Sequence, residues 1–420
     1  MGEVIEGYTP SIMQELFLST PNTMIEEKII IEGDYDKDSV IAAIEKVVQE
    51  QSILRSTYQK IADRYIICEH GYNTFWKPNY FDLRYATSTY ITAVYDLIRG
   101  MRRKMSTSIL TENNMLSNIV ITQKTEREYC IYVIIHHSIW DKASNQIFKE
   151  KIIDILNLKA KYVKTNETYK QYVNEVTTSK IYAETHNLSN LEKFKEKTDE
   201  YVKRNINNVL EKSVVSLFKM GSATEKLYND KPWSLFAYIL NILARENKLT
   251  NVHTEPLPIL ILQEDRRYMT NDYSNTLGEF LDWLPLLIEG SKENELLDWQ
   301  QKVNEIQNVK KENHYSLVEL LNYSTVEMRN MMASVLSINY QGGFSIEYEE
   351  MQEILKNDDY NKSTEVFVNS YSNYLILSYP IFSGCSGDIE EVIQNELNQL
   401  EDLLNKKVES EQFEKVVIKH

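Results

Sequence analysis

The tightest constraint on this chain is the stretch Ile131-Tyr-Val-Ile-Ile-His136-His137-Ser-Ile-Trp-Asp141. Its β-branched, apolar start predicts a buried strand. The residues after it, Lys142 to Ile152, predict a helix. His136, His137 and Asp141 therefore arrive together at a strand–helix corner. Side chains alternate along a strand. Tyr132, Ile134 and His136 share one face, and Val133, Ile135 and His137 share the other. The two imidazoles cannot do the same job: one can be pinned by buried partners while the other projects into a cleft. A neutral histidine near physiological pH can take a proton from an amine or hydroxyl. Asp141 fits a helix N-cap, or a buried ion pair that holds the corner in shape. On this chemistry alone, a working site and a satisfied piece of core are equally good readings. No metal is expected, because His70 and His186 have no ligand spacing to the pair.

Elements on both sides of the corner alternate in type. Ser11–Ser19 reads as a short helix, Met24–Glu32 as a strand, and Asp38–Gln51 as a helix with Val40, Ile41, Ile44, Val47 and Val48 at helical spacing. Ile53–Tyr58 and Tyr65–His70 read as paired strands, Ser88–Met105 as a helix, and Leu116–Gln123 with Glu128–Ile135 as a hairpin. A polar, helical stretch then connects to a second mixed segment. There Trp233–Glu246 reads as an apolar helix, Leu257–Leu262, Met331–Tyr340 and Tyr374–Tyr379 as strands, and Asp388–Leu404 as a closing helix. The intermixing predicts an α/β fold of two-layer sandwiches. The expected division is a first lobe over 1–165, a helical connection over 166–207 and a second lobe over 208–420.

Composition excludes several function classes. A formal charge of −16 argues against a general nucleic-acid binder. The basic run Arg99 to Lys104 is the one local exception. Cys68, Cys130 and Cys385 give neither a disulfide framework nor a metal spacing, which fits a reducing cytoplasm. No apolar run approaches a membrane span, and no signal peptide opens the chain. A cytoplasmic monomer is expected.

His136-His137-Ser-Ile-Trp-Asp141 resembles the His-His-x-x-x-Asp-Gly signature of nonribosomal peptide synthetase condensation domains, shared with acyltransferases related to chloramphenicol acetyltransferase. Further segments resemble that family in the right order. They are Thr9-Pro-Ser-Ile-Met-Gln-Glu-Leu-Phe17, Gln51-Ser-Ile-Leu-Arg55-Ser-Thr-Tyr58, Asn275-Thr-Leu-Gly278-Glu-Phe280-Leu-Asp-Trp283-Leu-Pro285-Leu286, and Asn313-His314 to Leu320. The resemblance implies two chloramphenicol-acetyltransferase-like lobes in a V-shaped pseudo-dimer, with the active site at their interface. Two phosphopantetheine arms would reach it, one carrying an acyl thioester and the other an acceptor amine. It implies that His137 is the base or orienting group, and that His136 and Asp141 are its frame. The Asp141 partner would be Arg266 or Arg267. Ser138, Trp140, Lys142, Gly278 and Trp283 would line the substrate tunnel.

The chain departs from the pattern at Lys142, where the family has glycine, at Asp282 in place of asparagine, and at Leu287 in place of arginine. The expected activity is amide formation between a carrier-bound acyl group and an amine, free or carrier-bound. The carrier would come in trans, and the chain itself would bind no cofactor. Ester formation on an alcohol and a catalytically silent carrier-docking module are the alternatives.

Overall fold

In the computed structural model the described residues are all except 1–2, 21–22, 63, 73–76, 109–113, 158–167, 184–188, 206, 250–254, 267–268, 270, 289–298, 314–315, 317–320, 322, 346–363, 384–387 and 418–420. The chain forms two compact units. One comprises Met1–Glu184, Glu264–Asp282 and His314–Glu319; the other comprises Thr185–Gln263, Trp283–Asn313 and Leu320–His420.

The first unit runs β1 (Val4–Tyr8), α1 (Ile12–Ser19), β2 (Met24–Glu32), α2 (Lys37–Glu50), β3 (Ser56–Ile61), β4 (Arg64–His70), β5 (Asn79–Asp82), α3 (Ser88–Ser108), β6 (Ser117–Gln123), β7 (Glu128–His136), α4 (Lys142–Leu156) and α5 (Tyr169–Ala183). Its four-stranded sheet has the order β2-β7-β6-β5, and β1, β4 and β3 form a small antiparallel sheet. The apolar run that makes β7 conspicuous is explained by its place. It lies between β2 and β6, and every residue after Glu128 is buried. Register is fixed along its length, from Glu32 opposite Glu128 to Met24 opposite His136. A one-residue slip would turn that apolar set over, which fixes where His136 and His137 emerge. Ser11 caps α1 in a reciprocal box with Gln14, and Asp36 caps α2 through the Ser39 N–H.

Ile53–Tyr58 is not a strand throughout. Ser52–Arg55 is a single 3₁₀ turn, and β3 begins at Ser56. The cause is Arg55, whose buried guanidinium donates to the carbonyls of Val48, Gln49 and His70 and draws the segment against the end of α2.

The second unit runs α6 (Ser189–Asn205), β8 (Leu210–Lys219), α7 (Ser222–Asp230), α8 (Pro232–Glu246), β9 (Leu257–Glu264), β10 (Leu281–Ile288), α9 (Trp299–Asn313), α10 (Thr325–Ser334), β11 (Leu336–Ser345), β12 (Glu365–Tyr371), β13 (Tyr374–Phe382) and α11 (Ile389–Val417). Its mixed sheet has the order β10-β9-β11-β12-β13-β8. α8 is buried continuously from Ser234 to Ala244, as its composition predicts. The expected strand Met331–Tyr340 starts late. A Ser324–Glu327 capping box opens α10, which holds Met331–Ser334 in helix before β11. Residues 166–207 are shared between the units, α5 falling in the first and α6 in the second.

Candidate active site

The corner after β7 is built from a short turn and a helix start. His137–Ile139 form a 3₁₀ turn, Trp140 is extended, and Asp141 caps α4 by accepting from the Ser144 N–H at 2.8 Å. The Gln14 amide of α1 donates to the Ser138 carbonyl at 2.8 Å and clips the turn to that helix.

The two histidines have opposite environments. His136 is fully buried; its Nδ1 accepts from the Ser138 N–H at 3.2 Å and lies 2.7 Å from the Ser138 Oγ. Its Nε2 lies 2.5 Å from the Thr23 hydroxyl, which in turn donates to the Phe17 carbonyl at 3.2 Å. Since Nδ1 accepts, Nε2 carries the proton toward Thr23. Burial, with a smaller contribution from His137, holds the His136 pKa down at about 3, so this ring is neutral.

His137 keeps part of its surface open. Its ring lies flat on Phe17, with centroids 4.2 Å apart and planes 8° apart. Nδ1 is buried and has no hydrogen-bond partner among the described residues. The ring is set deep enough that burial lowers its pKa, opposed by its own backbone and by the Asp141 charge. An imidazole held neutral, turned inward at Nδ1 and partly open, can accept a proton from a bound group.

Asp141 anchors the segment Glu264–Asp282 to this corner. Its two carboxylate oxygens take a two-pronged pair from Arg266, Nη1 at 2.6 Å and Nη2 at 2.9 Å. The Phe280 N–H donates to the same carboxylate at 3.2 Å. Arg266 also donates to Ser144 Oγ, to Glu264 and to the Thr276 carbonyl, and it stacks 4.1 Å above the Phe280 ring. Burial alone would lower the Arg266 pKa, but the charges of Asp141 and Glu264 outweigh it and raise it. Ser144 Oγ closes the knot by donating to the Gly278 carbonyl at 2.9 Å and accepting the Gly278 N–H at 3.1 Å. Arg267 lies outside the described residues, as does most of the stretch from His314 to Leu320.

Three residues expected along a tunnel are packed against other side chains. Ser138 is fully buried on His136. Trp140 is fully buried in the core, edge-on to Phe148 at 5.8 Å. Gly278 is filled in by the Tyr169 ring, which a Cβ there would meet at 1.9 Å. Lys142 is exposed at the first position of α4, and its charge acts on Glu27, whose pKa burial raises. Trp283 is buried in the second unit. The residues that sequence reasoning left without a role are Gln14, Phe17, Thr23 and Ser144. Ser144 carried a signal, since it stands three residues after the capping Asp141; Thr23 carried none.

No family model matches the sequence, and no curated protein matches it. Solved structures do match in fold. The condensation domain of the Monacolin K polyketide synthase MokA aligns with a TM-score of 0.61 at 11% identity, over 94% of this chain and 96% of that one. The epimerization domain from the third module of tyrocidine synthetase B aligns at 0.57 and 15% identity, over 96% and 98%. SgcC5 of Streptomyces globisporus, solved with a naphthyl ethanediol and sucrose, aligns at 0.57 and 12% identity, over 95% and 99%. The chain has the two-lobed fold of condensation domains. Among the described residues, no helix is long and apolar enough to cross a membrane.

Proposed function

We propose that this chain is a condensation-type acyltransferase that joins an acyl group, presented as a thioester on a carrier protein, to an amine. The observation that carries this reading is His137: partly open, neutral, stacked on Phe17 and backed by the Asp141–Arg266 knot. In the proposed reaction the amine nitrogen attacks the thioester carbonyl. His137 takes the amine proton, the C–S bond breaks, and the thiol leaves with a proton while the amide forms. General-base help of this kind is worth roughly 10²–10⁴ in rate. Asp141 touches no substrate in this scheme; it and Arg266 hold the corner. The carrier's phosphopantetheine arm is substrate here, and the chain needs no cofactor of its own.

A hydroxyl acceptor is the second reading, favoured by the diol bound to SgcC5. Incubation with acyl-loaded carriers and matched panels of amines and alcohols, read by intact mass, tests both. Amide products that vanish in His137→Ala support the proposal. Ester products alone select the second reading. Undiminished product in His137→Ala, or transfer by no loaded carrier, overturns the assignment.

A further inference from the structure

Helix α3 has one stripe that the fold uses and another that it leaves to solvent. Val94 and Ile98 are buried, and Ile91, Tyr95, Met101 and Met105 pack against the same core. Tyr95 sits edge-on to Tyr132 at 6.2 Å, which seats the helix on β7, the strand that ends at His136. Beside this stripe run Tyr90, Ala93, Leu97, Gly100 and Lys104, all exposed. Successive members stand three or four residues apart in alternation, so they form one line about 21 Å long.

Tyr90 and Leu97 are 47% and 44% exposed. Scattered exposed apolar residues need no explanation, but these two stand two turns apart in one line. The positions after them, Ala93 and Gly100, are small. A glycine inside a helix is costly relative to alanine. A Cβ at Gly100 would meet nothing within 4 Å among the described residues, so packing within the described chain does not call for glycine there. Large and small side chains alternating at heptad spacing make a seam on which a second helix can pack closely.

The seam leads into the basic run. Arg99, Arg102, Arg103 and Lys104 are exposed, and Asp96 is the one acid of α3, in a chain of net charge −16. Arg99 pairs with Asp96 at 2.5 Å, but both side chains are largely exposed, and such a pair contributes little and exchanges readily. A solvated helix end accounts for the cations alone. It does not account for an exposed apolar seam running into them. Cations at the rim of an apolar seam select a helix with apolar residues at matching spacing and carboxylates beside them.

We infer that the Tyr90–Lys104 seam of α3 docks an acidic amphipathic helix of the protein that carries the acyl thioester. This deepens the proposed reaction and rests on it for the identity of the partner, whereas docking stands without turnover.

A panel of dye-labelled, phosphopantetheine-bearing carrier proteins, titrated with the full chain and read by fluorescence anisotropy, tests it. At least one carrier binds, and added salt weakens the binding. Leu97→Asp, and Arg102→Glu combined with Arg103→Glu, each weaken it about tenfold or more, the scale of a lost central contact and of a rim made repulsive. Gly100→Gln weakens it too, yet keeps or raises the thermal midpoint, because glutamine is the better helix former. A merely structural role would move both readouts together. His137→Ala binds the carrier as wild type does, so a failure of the transfer reaction is distinguishable from a failure of this surface. Equal carrier affinity in wild type and all these variants, or no carrier bound, overturns the inference. Self-association that Leu97→Asp abolishes would put a second copy on the seam and overturn it as well. So would binding of a DNA duplex, in place of any carrier, that the charge reversal abolishes.

Discussion

Asp141, which anchors the Arg266 knot, and His137 lie within one short stretch of chain and obey opposite rules. In the knot, both Asp141 oxygens and all three guanidinium nitrogens of Arg266 are hydrogen-bonded, and the pair is almost wholly buried. At His137, one ring nitrogen is buried without a partner among the described residues, and the ring is partly open. A buried ion pair is tolerable only when its geometry is complete. A group that must exchange protons needs the reverse, an unfilled valence and a way in. Adjacent histidines divide along the same line, since His136 is saturated by Thr23 and Ser138 while His137 is not. The lesson is that two adjacent residues of one type can differ wholly in how far their polar atoms are satisfied.

The sharpest break of this contrast is His137→Ala. Transfer should fall roughly 10²–10⁴-fold. The thermal midpoint should move little, because the side chain is only half-buried; a large fall in midpoint would make His137 part of the frame. Arg266→Ala should do the opposite, costing about 3–5 kcal/mol of stability by stranding a buried carboxylate. Chemical denaturation reads this, and a loss below about 1 kcal/mol would mean the knot does not hold the corner.

Gly278→Ala should cost about 1–3 kcal/mol, because its Cβ would strike the Tyr169 ring packed on the knot. An unchanged midpoint would show that Tyr169 moves aside freely.

The smallest effect per step is in pH. His136 is neutral in the folded chain, with a pKa of about 3 against about 6.5 when unfolded. The unfolded state therefore binds more protons in this window, and stability falls as pH drops from about 6.5 toward about 3, by at most about 1.4 kcal/mol per unit. Lowering of the His137 pKa by burial also moves the acid limb of the activity profile below the ordinary histidine value. A limb at or above that value would place His137 in a more solvated site.

Much of this was legible in the residues. The β7 run announced a strand buried on both sides because a central strand has no polar face to show. Periodicity gave α2, and composition gave α8. The edge strand β1 and the strand β12 escaped, because short or mixed runs carry little periodic signal. At the corner, Asp141 as a helix cap followed from local spacing, and alternation assigned the two histidines to different faces.

What the sequence determined by itself was therefore local: which residues reach the corner, and that they cannot be equivalent. Only the tertiary structure decided that Arg266 closes on Asp141 across 125 positions of chain, that Thr23 saturates His136, and that Trp140 packs on Phe148 and Gly278 on Tyr169. The physical reason is that hydrogen-bond satisfaction and close packing depend on which groups meet in space. Residue type and spacing fix those meetings only within a strand or a turn of helix.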